Sequence, residues 1–138
     1  ESAVPEVPEI SATPSLRALV MEDDDFLGHL MDDMFTVLGH DIDVVKDGDE
    51  ALSLFQGSLN SGTPYGVVVL DVTIRGGRGG IETGRAMLEL TPDVPIILMS
   101  GYHEADLNST FQDNGFRAFL RKPFGLDALK SALQTGLT

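Results

Sequence analysis

The residues of this sequence that can carry out chemistry are carboxylates, one hydroxyl and one amine, each placed at the end of a short apolar run. In chain order they are Glu22–Asp25, Asp71, Ser100 and Lys122. Asp71 follows four aliphatic residues, 67–70, whose composition is typical of a strand buried on both faces of a sheet. Its charge must reach water or find a partner. Asp71 therefore marks either the plain end of a strand or a functional position at the carboxyl edge of a parallel sheet.

Several carboxylates at one sheet edge would favour a hard divalent cation. Carboxylates within about 4–6 Å of one another repel unless a cation joins them. The chain has no cysteine and only three scattered histidines, so oxygen ligation selects Mg²⁺, or Mn²⁺ in its place. Lys122 can balance an incoming anion, and Ser100 can donate a hydrogen bond to it. A carboxylate nucleophile, a metal and a cation together meet the requirements of phosphoryl transfer onto Asp71.

Apolar periodicity predicts the elements that position these residues. Strands are predicted at 16–21, 41–45, 67–70, 95–100 and 117–120. Helices are predicted at 26–38, from the turn 46–50 through Leu59, and at 81–90, 105–114 and 125–135. Alternating strands and helices require right-handed crossovers and a parallel sheet covered on both faces. We expect a doubly wound α/β fold, a flavodoxin-like (βα)5 three-layer sandwich with strand order 2-1-3-4-5.

The first residues differ in composition from the rest of the chain. Residues 1–15 hold three of the seven prolines and three glutamates, with no basic residue and no apolar periodicity. Such a composition predicts a Pro/Glu-rich linker over 1–15, followed by one domain over 16–138. The chain also starts without Met, which indicates an excerpt from a longer protein.

The charge and the apolar runs exclude several classes of partner. The formal net charge is −13, which argues against binding of nucleic acid or of anionic membrane by this domain. No apolar run approaches the ~20 residues that cross a bilayer. The lack of cysteine fits a cytoplasmic setting. Basic partners and divalent cations are the expected ligands.

Four motifs in chain order resemble those of the receiver domain of two-component response regulators. They are the acidic cluster after the first strand, Asp71 after the third, Ser100-Gly101 after the fourth, and Lys122-Pro123-Phe124 after the fifth. Each motif alone is weak, but four in the right order at successive strand ends are specific. The resemblance covers residues 16–135, nearly the whole chain apart from the predicted linker.

The resemblance implies a phosphoacceptor site with a bound metal. Asp71 would accept a phosphoryl group from the phosphohistidine of a histidine kinase or histidine phosphotransfer domain, in another protein or in the same chain. Asp23 and Asp71 would bind Mg²⁺ directly, with the backbone carbonyl of Thr73 as a third protein ligand. Glu22 would hold a metal-bound water. Such a domain phosphorylates and dephosphorylates itself and is not a turnover enzyme.

The resemblance also implies a conformational switch. Ser100 and Lys122 would contact the phosphoryl oxygens, and Phe119 stands at the aromatic switch position of the family, where Tyr is more usual. The surface expected to change is the face of the fourth helix (105–114), the fifth strand and the fifth helix. Apolar residues that would hold the fourth helix are few, which predicts that it is the mobile element.

The loop after Asp71 departs from the family pattern. Arg75 stands where the family usually has proline, and the stretch "RGGRGGIE" is one residue longer than usual and rich in glycine. This glycine-rich loop is similar to the corresponding loop of receivers fused behind sensor histidine kinases. It favours a hybrid histidine kinase, whose receiver would be cytoplasmic and tethered to a membrane-bound sensor.

Several alternatives stay open at this point. Asp24 and Asp25 are more typical of helix capping than of metal binding. A haloacid-dehalogenase-type aspartyl phosphatase would carry its nucleophile after the first strand, with an acid–base Asp two residues later, where this chain has Thr73. A receiver-like interaction module that works without phosphorylation would usually have lost an acidic ligand, the Asp or the Lys, and this chain keeps all of them. His103 follows the fourth strand and could modulate the site.

Overall fold

The computed structural model describes residues 15–74, 79–101 and 115–137, which form five strands and four helices. The strands are β1 (Arg17–Met21), β2 (Asp41–Val45), β3 (Val67–Asp71), β4 (Ile96–Ser100) and β5 (Ala118–Arg121). The helices are α1 (Asp25–Val37), α2 (Gly48–Asn60), α3 (Gly80–Leu90) and α4 (Leu126–Leu137). Residues 1–14 of the predicted linker, the predicted helix 105–114, His103 and Arg75 lie outside the described residues.

The strands form one parallel sheet in the order β2-β1-β3-β4-β5, which confirms the predicted fold. Asp71 pairs with Met99 on β4, and Ser100 pairs with Arg121 on β5. Because parallel strands share a direction, the carboxyl ends of β1, β3, β4 and β5 meet at one edge of the sheet. The predicted site residues Glu22, Asp71, Ser100 and Lys122 lie at or directly after these strand ends.

Two apolar clusters hold the sheet between its helices. Every residue of β3 and β4 is buried, as the aliphatic runs predicted. One cluster joins α1 and α4 to the sheet through residues such as Phe35 and Leu129. The other joins α2 and α3 to the opposite face through residues such as Phe55 and Met87. Burial on both faces fixes the strand ends and therefore the geometry of the polar edge.

Two neighbouring aspartates at the start of α1 make different contacts. Asp24 is the N-cap, and its carboxylate accepts a hydrogen bond of 3.0 Å from the Leu27 backbone N–H, which confirms the capping prediction for Asp24. Asp25 lies in the first turn of α1, where its charge complements the helix dipole as predicted. The Asp25 carboxylate forms an ion pair of 2.5 Å with Lys46 Nζ, because it lies in the first turn and projects toward the β2–α2 loop.

In the part of the chain described, no helix is long and apolar enough to cross a bilayer.

Gly84 illustrates how closely α3 packs against the segment before β5. A Cβ atom at Gly84 would lie 2.5 Å from Cε1 of the buried Phe116 ring. We expect Gly84→Ala to lower the unfolding free energy by about 1–3 kcal/mol through overpacking, although Ala favours a helix by about 1 kcal/mol. Urea unfolding measures the change. The matched control is Gly57→Ala in α2, where a Cβ would meet nothing within 4 Å and which should be neutral or stabilising.

The partner residue provides the second half of this test. Gly84→Ala combined with Phe116→Leu should recover part of the loss, because the smaller side chain makes room for the new methyl group. A stability of Gly84→Ala equal to or above that of the wild type would contradict the packing described here.

Candidate functional site

Two carboxylates at the polar edge are almost completely buried. Glu22 follows β1 and is 2% exposed; its backbone N–H donates to the Val45 carbonyl at 2.9 Å, and its Oε2 accepts from the Asp24 N–H at 3.1 Å. Asp71 is the last residue of β3 and is 4% exposed. Its Oδ1 accepts a hydrogen bond of 3.1 Å from the Thr73 backbone N–H. These contacts leave one oxygen of each carboxylate for another partner.

Lys122 is that partner for both carboxylates. Its Nζ lies 2.7 Å from Asp71 Oδ2 and 2.6 Å from Glu22 Oε1. Lys122 follows β5, where its backbone N–H donates to the Ser100 carbonyl at 2.8 Å and its peptide bond to Pro123 is cis. The ammonium thus bridges residues from the ends of β1 and β3. The position of Lys122 at this edge was predicted from the sequence, whereas its ion pair with Glu22 was not.

The electrostatics of the three groups are set by burial and by their mutual contacts. Burial raises the pKa of Glu22 above its usual value, against the opposing effects of Lys122 and of the Asp24 N–H. Burial lowers the pKa of Lys122, but the hydrogen bonds to Asp71 and Glu22 outweigh it and leave that pKa above its usual value. Lys122 is therefore a cation at neutral pH. A single ammonium compensates two buried carboxylates only in part.

Asp23 brings a third carboxylate to the same place. One oxygen from each of Glu22, Asp23 and Asp71 lies within 4.8 Å of the others. Oxygen donors, an excess of negative charge and partial exposure of Asp23 suit a hard divalent cation that keeps some of its waters. The described residues therefore fit Mg²⁺. A metal here would share Asp71 and Glu22 with Lys122.

The remaining predicted site residues lie around this cluster. Ser100 ends β4, is 1% exposed, and is adjacent to the pair that Asp71 forms with Met99. Thr73 is exposed, two residues after Asp71. Phe119 lies on β5, half-buried against the cluster on the α2–α3 side of the sheet. Ser100 stands at a strand end and Thr73 in a loop, both at the polar edge. Phe119 lies two residues before the end of β5.

Glycines at the start of α3 allow that helix to approach Asp71. A Cβ at Gly80 would lie 2.5 Å from the Asp71 carbonyl oxygen, and one at Gly79 would lie 2.6 Å from the Val72 carbonyl oxygen. Any side chain at either position would push α3 away from the end of β3. The glycine-rich stretch is evident in the sequence, but this role of Gly79 and Gly80 was not predicted. Two glycines directly before a helical pattern were the available signal.

An apolar pocket adjoins the cluster on the α1 side. It has a volume of 260 Å³ and is lined by Glu22 and Lys122 together with apolar residues of α1, β4 and the segment after β5. Phe26, at the first turn of α1, is 73% exposed. The apolar periodicity of residues 26–38 predicted the helix but not this partly exposed apolar surface. The stripe of Phe26, Leu27, Leu30 and Met31, which is wider than a buried face needs, was the signal.

Comparison with known proteins gives the same assignment along nearly the whole chain. The model of the response regulator receiver domain family matches residues 18–134. The transcriptional regulatory protein QseB of Haemophilus influenzae is 29% identical over 119 residues, which cover 86% of this chain and 51% of that protein. Hybrid signal transduction histidine kinase I of Dictyostelium discoideum is 26% identical over 133 residues, covering 92% of this chain and 8% of that protein. The chain thus spans about half of the first relative.

Solved structures share the fold. CheY4, a chemotaxis protein of Vibrio cholerae, is 21% identical with a TM-score of 0.80, covering 90% of this chain and 100% of that one. The receiver domain of NtrX from Brucella abortus is 25% identical with a TM-score of 0.76, covering 87% of this chain and 97% of that one. With the family match over residues 18–134 and the five-stranded parallel sheet, the chain belongs to the response regulator receiver domain family of two-component signalling.

Proposed function

We propose that Asp71 is the phosphoacceptor of this receiver domain. The observation that supports this role is the burial of Asp71 at the end of β3, with Oδ2 held 2.7 Å from Lys122 Nζ in an acidic cluster. In the reaction, an Asp71 carboxylate oxygen forms a bond to phosphorus while the phosphorus–nitrogen bond of a phosphohistidine breaks. The histidine of the donor leaves as a neutral imidazole once it takes up a proton.

The metal ligands of the proposed site are Asp23, Asp71 and the Thr73 carbonyl, with Glu22 acting through a water. Their oxygen chemistry and the spacing of the three carboxylates support this set. Mg²⁺, when bound, supplies positive charge to the phosphoryl oxygens. Lys122, freed from Asp71 when that carboxylate becomes an acyl phosphate, would turn its ammonium to the new dianion. Ser100 would donate its hydroxyl to another phosphoryl oxygen.

The proposed donor is a histidine kinase or a histidine phosphotransfer domain. The relative in Dictyostelium is a hybrid kinase, which supports an arrangement with donor and receiver in one chain. In that arrangement residues 16–138 are the receiver unit and residues 1–15 a Pro/Glu-rich linker. An aspartyl phosphatase is disfavoured because Thr73 stands where an acid–base Asp is needed and Asp71 lies on β3. A module independent of phosphorylation is disfavoured because the carboxylates and Lys122 are all present.

Incubation with acetyl phosphate and Mg²⁺ tests the proposal. Intact mass should rise by one phosphoryl group, and peptide mapping should assign it to Asp71. Omission of Mg²⁺ with added chelator should suppress the reaction, because the metal and Lys122 together neutralise the transferred group. Absence of any phosphoryl gain with both small-molecule and phosphohistidine donors would favour the interaction module.

We expect the exposed Phe26 to affect phosphoryl transfer from protein donors and not from small-molecule donors. We expect Phe26→Ser to slow phosphoryl transfer from a histidine kinase by about tenfold, because the ring is 73% exposed in the first turn of α1, three residues after Asp23, and is available to pack against the donor. Transfer from acetyl phosphate should be unchanged. Val37→Ser is the matched control, since Val37 is 71% exposed at the far end of α1. Equal slowing by both variants, or slowing with acetyl phosphate, would contradict this interpretation.

Phosphorylation should also change the face around β5. Drawing Ser100 toward the phosphoryl group would open space into which Phe119 can rotate, shifting the population toward a second arrangement. Beryllofluoride, a phosphoryl mimic, should change hydrogen exchange between Ser100 and the end of α4, and Ser100→Ala should weaken that response. Changes restricted to residues 22–80 would rule out this switch.

A further inference from the structure

Leu16, the residue directly before β1, is hydrogen-bonded to His40 in the loop between α1 and β2. The Leu16 backbone N–H donates to His40 Nδ1 at 3.1 Å, and the Asp41 N–H donates to the Leu16 carbonyl at 2.8 Å. The Ser15 hydroxyl adds a hydrogen bond of 2.9 Å to the Gly39 carbonyl. At this point the preceding chain joins the sheet, at the end opposite the phosphoacceptor edge.

The ring of His40 is fixed in one orientation by its surroundings. Its backbone N–H donates to the Phe35 carbonyl at 2.9 Å, and its ring centroid lies 6.2 Å from that of Phe35. Because Nδ1 accepts from Leu16, the neutral ring carries its proton on Nε2. A flipped ring would place a carbon opposite the Leu16 N–H and would lose the bond.

Protonation is therefore incompatible with this contact. A second proton on Nδ1 would remove the acceptor and place two N–H donors against each other. We propose that the Leu16–His40 hydrogen bond is a pH-sensitive contact whose loss on protonation of His40 releases the start of β1 from the α1–β2 loop. The proposal concerns the junction with the preceding chain and is independent of the phosphoacceptor site.

Burial and the nearby charged groups together favour the neutral form of His40 in the folded protein. Burial lowers the pKa of His40 below its usual value, and the neighbouring Asp41 raises it less. The last turn of α1, 34–37, has no charged side chain. From β1, the Arg17 guanidinium lies on the other face of the sheet, where it donates to Thr63 and stacks on Tyr65. The folded state thus binds fewer protons than the unfolded chain, so the contribution is present above pH ~6.5 and is lost as the pH falls.

Hydrogen exchange of the ¹⁵N-labelled 138-residue chain tests the proposal. The protection factor of the Leu16 amide should fall several-fold between about pH 7.5 and about pH 5.5. The Val68 amide, which donates to the Pro95 carbonyl in the centre of the sheet, should keep its protection. An equal loss at Val68 would indicate global unfolding and would overturn the proposal.

Two variants and one control identify the titrating group. His40→Asn offers an Oδ1 acceptor in place of Nδ1 that does not titrate here, so Leu16 protection should become independent of pH. His40→Ala should have low Leu16 protection at both pH values, with a folded state checked by circular dichroism. His29→Asn removes an exposed histidine of α1 and should behave as the wild type. Constant protection in the wild type, or an unchanged pH response in His40→Asn, would overturn the proposal.

Discussion

Asp71→Asn should lower phosphoryl transfer from acetyl phosphate and from a histidine kinase by roughly a hundredfold or more. The amide keeps the shape of the carboxylate and can still accept a hydrogen bond from the Thr73 N–H, so the fold should persist. It lacks the charge that makes a carboxylate oxygen nucleophilic and that pairs with Lys122 at 2.7 Å. Intact mass after incubation with donor and Mg²⁺ measures the loss.

The control for this variant is Asp93→Asn, which changes the same functional group at an exposed position before β4. It should accept the phosphoryl group as the wild type does. Phosphorylation of Asp71→Asn to the wild-type extent at another mapped residue would show that Asp71 is not the acceptor. Low residual phosphorylation of a neighbouring hydroxyl would agree with the assignment, because the metal and Lys122 remain available to a weaker nucleophile.

Mg²⁺ should raise the Tm of the wild-type protein. A ligand that binds only the folded state at ten times its Kd adds about 1.4 kcal/mol, which corresponds to a Tm rise of about 5 °C for a domain of this size. The physical reason is relief of repulsion among Glu22, Asp23 and Asp71, whose oxygens lie within 4.8 Å of one another. Differential scanning fluorimetry with increasing Mg²⁺ measures the shift.

Asp23→Ala should remove this response and raise the Tm of the metal-free protein, since it deletes a like charge beside two buried carboxylates. Asp33→Ala, which removes an exposed charge from α1, should keep the full Mg²⁺ response. A shift in Asp23→Ala as large as in the wild type would place the ion elsewhere. Lys122→Met should increase the apparent affinity for Mg²⁺, because the ammonium that holds Asp71 and Glu22 is gone.

Much of the fold followed from local pattern. The aliphatic runs of β3 and β4 predicted strands buried on both faces, and the structure has every residue of both strands buried. Alternation of strands with amphipathic helices predicted the parallel sheet, and its order was the predicted one. Element ends were reproduced within about one residue where turn chemistry marked them, as at Gly39, whose φ of 87° ends the α1 region.

The residues that form the candidate site could be predicted, because parallel strands in a known order bring their carboxyl ends together. Glu22, Asp71 and Lys122 are far apart in sequence, yet each stands at a strand end, and strand ends are readable from the apolar runs before them. The apolar runs therefore predict the carboxylates, the hydroxyl and the amine at this edge from the sequence alone.

Tertiary structure alone decided how these groups pair. Lys122 bridges Glu22 and Asp71, and His40 accepts a hydrogen bond from the Leu16 N–H. Both contacts depend on side-chain rotamers and would be lost with small shifts in atomic position. The same holds for Gly80, whose missing Cβ lets α3 approach the Asp71 carbonyl. Sequence periodicity specifies which face a residue occupies and at which end of a strand it stands. Which of several neighbouring partners it binds is fixed by the packing of the whole core, because burial makes an unpaired charge or donor costly and leaves few arrangements that satisfy every group.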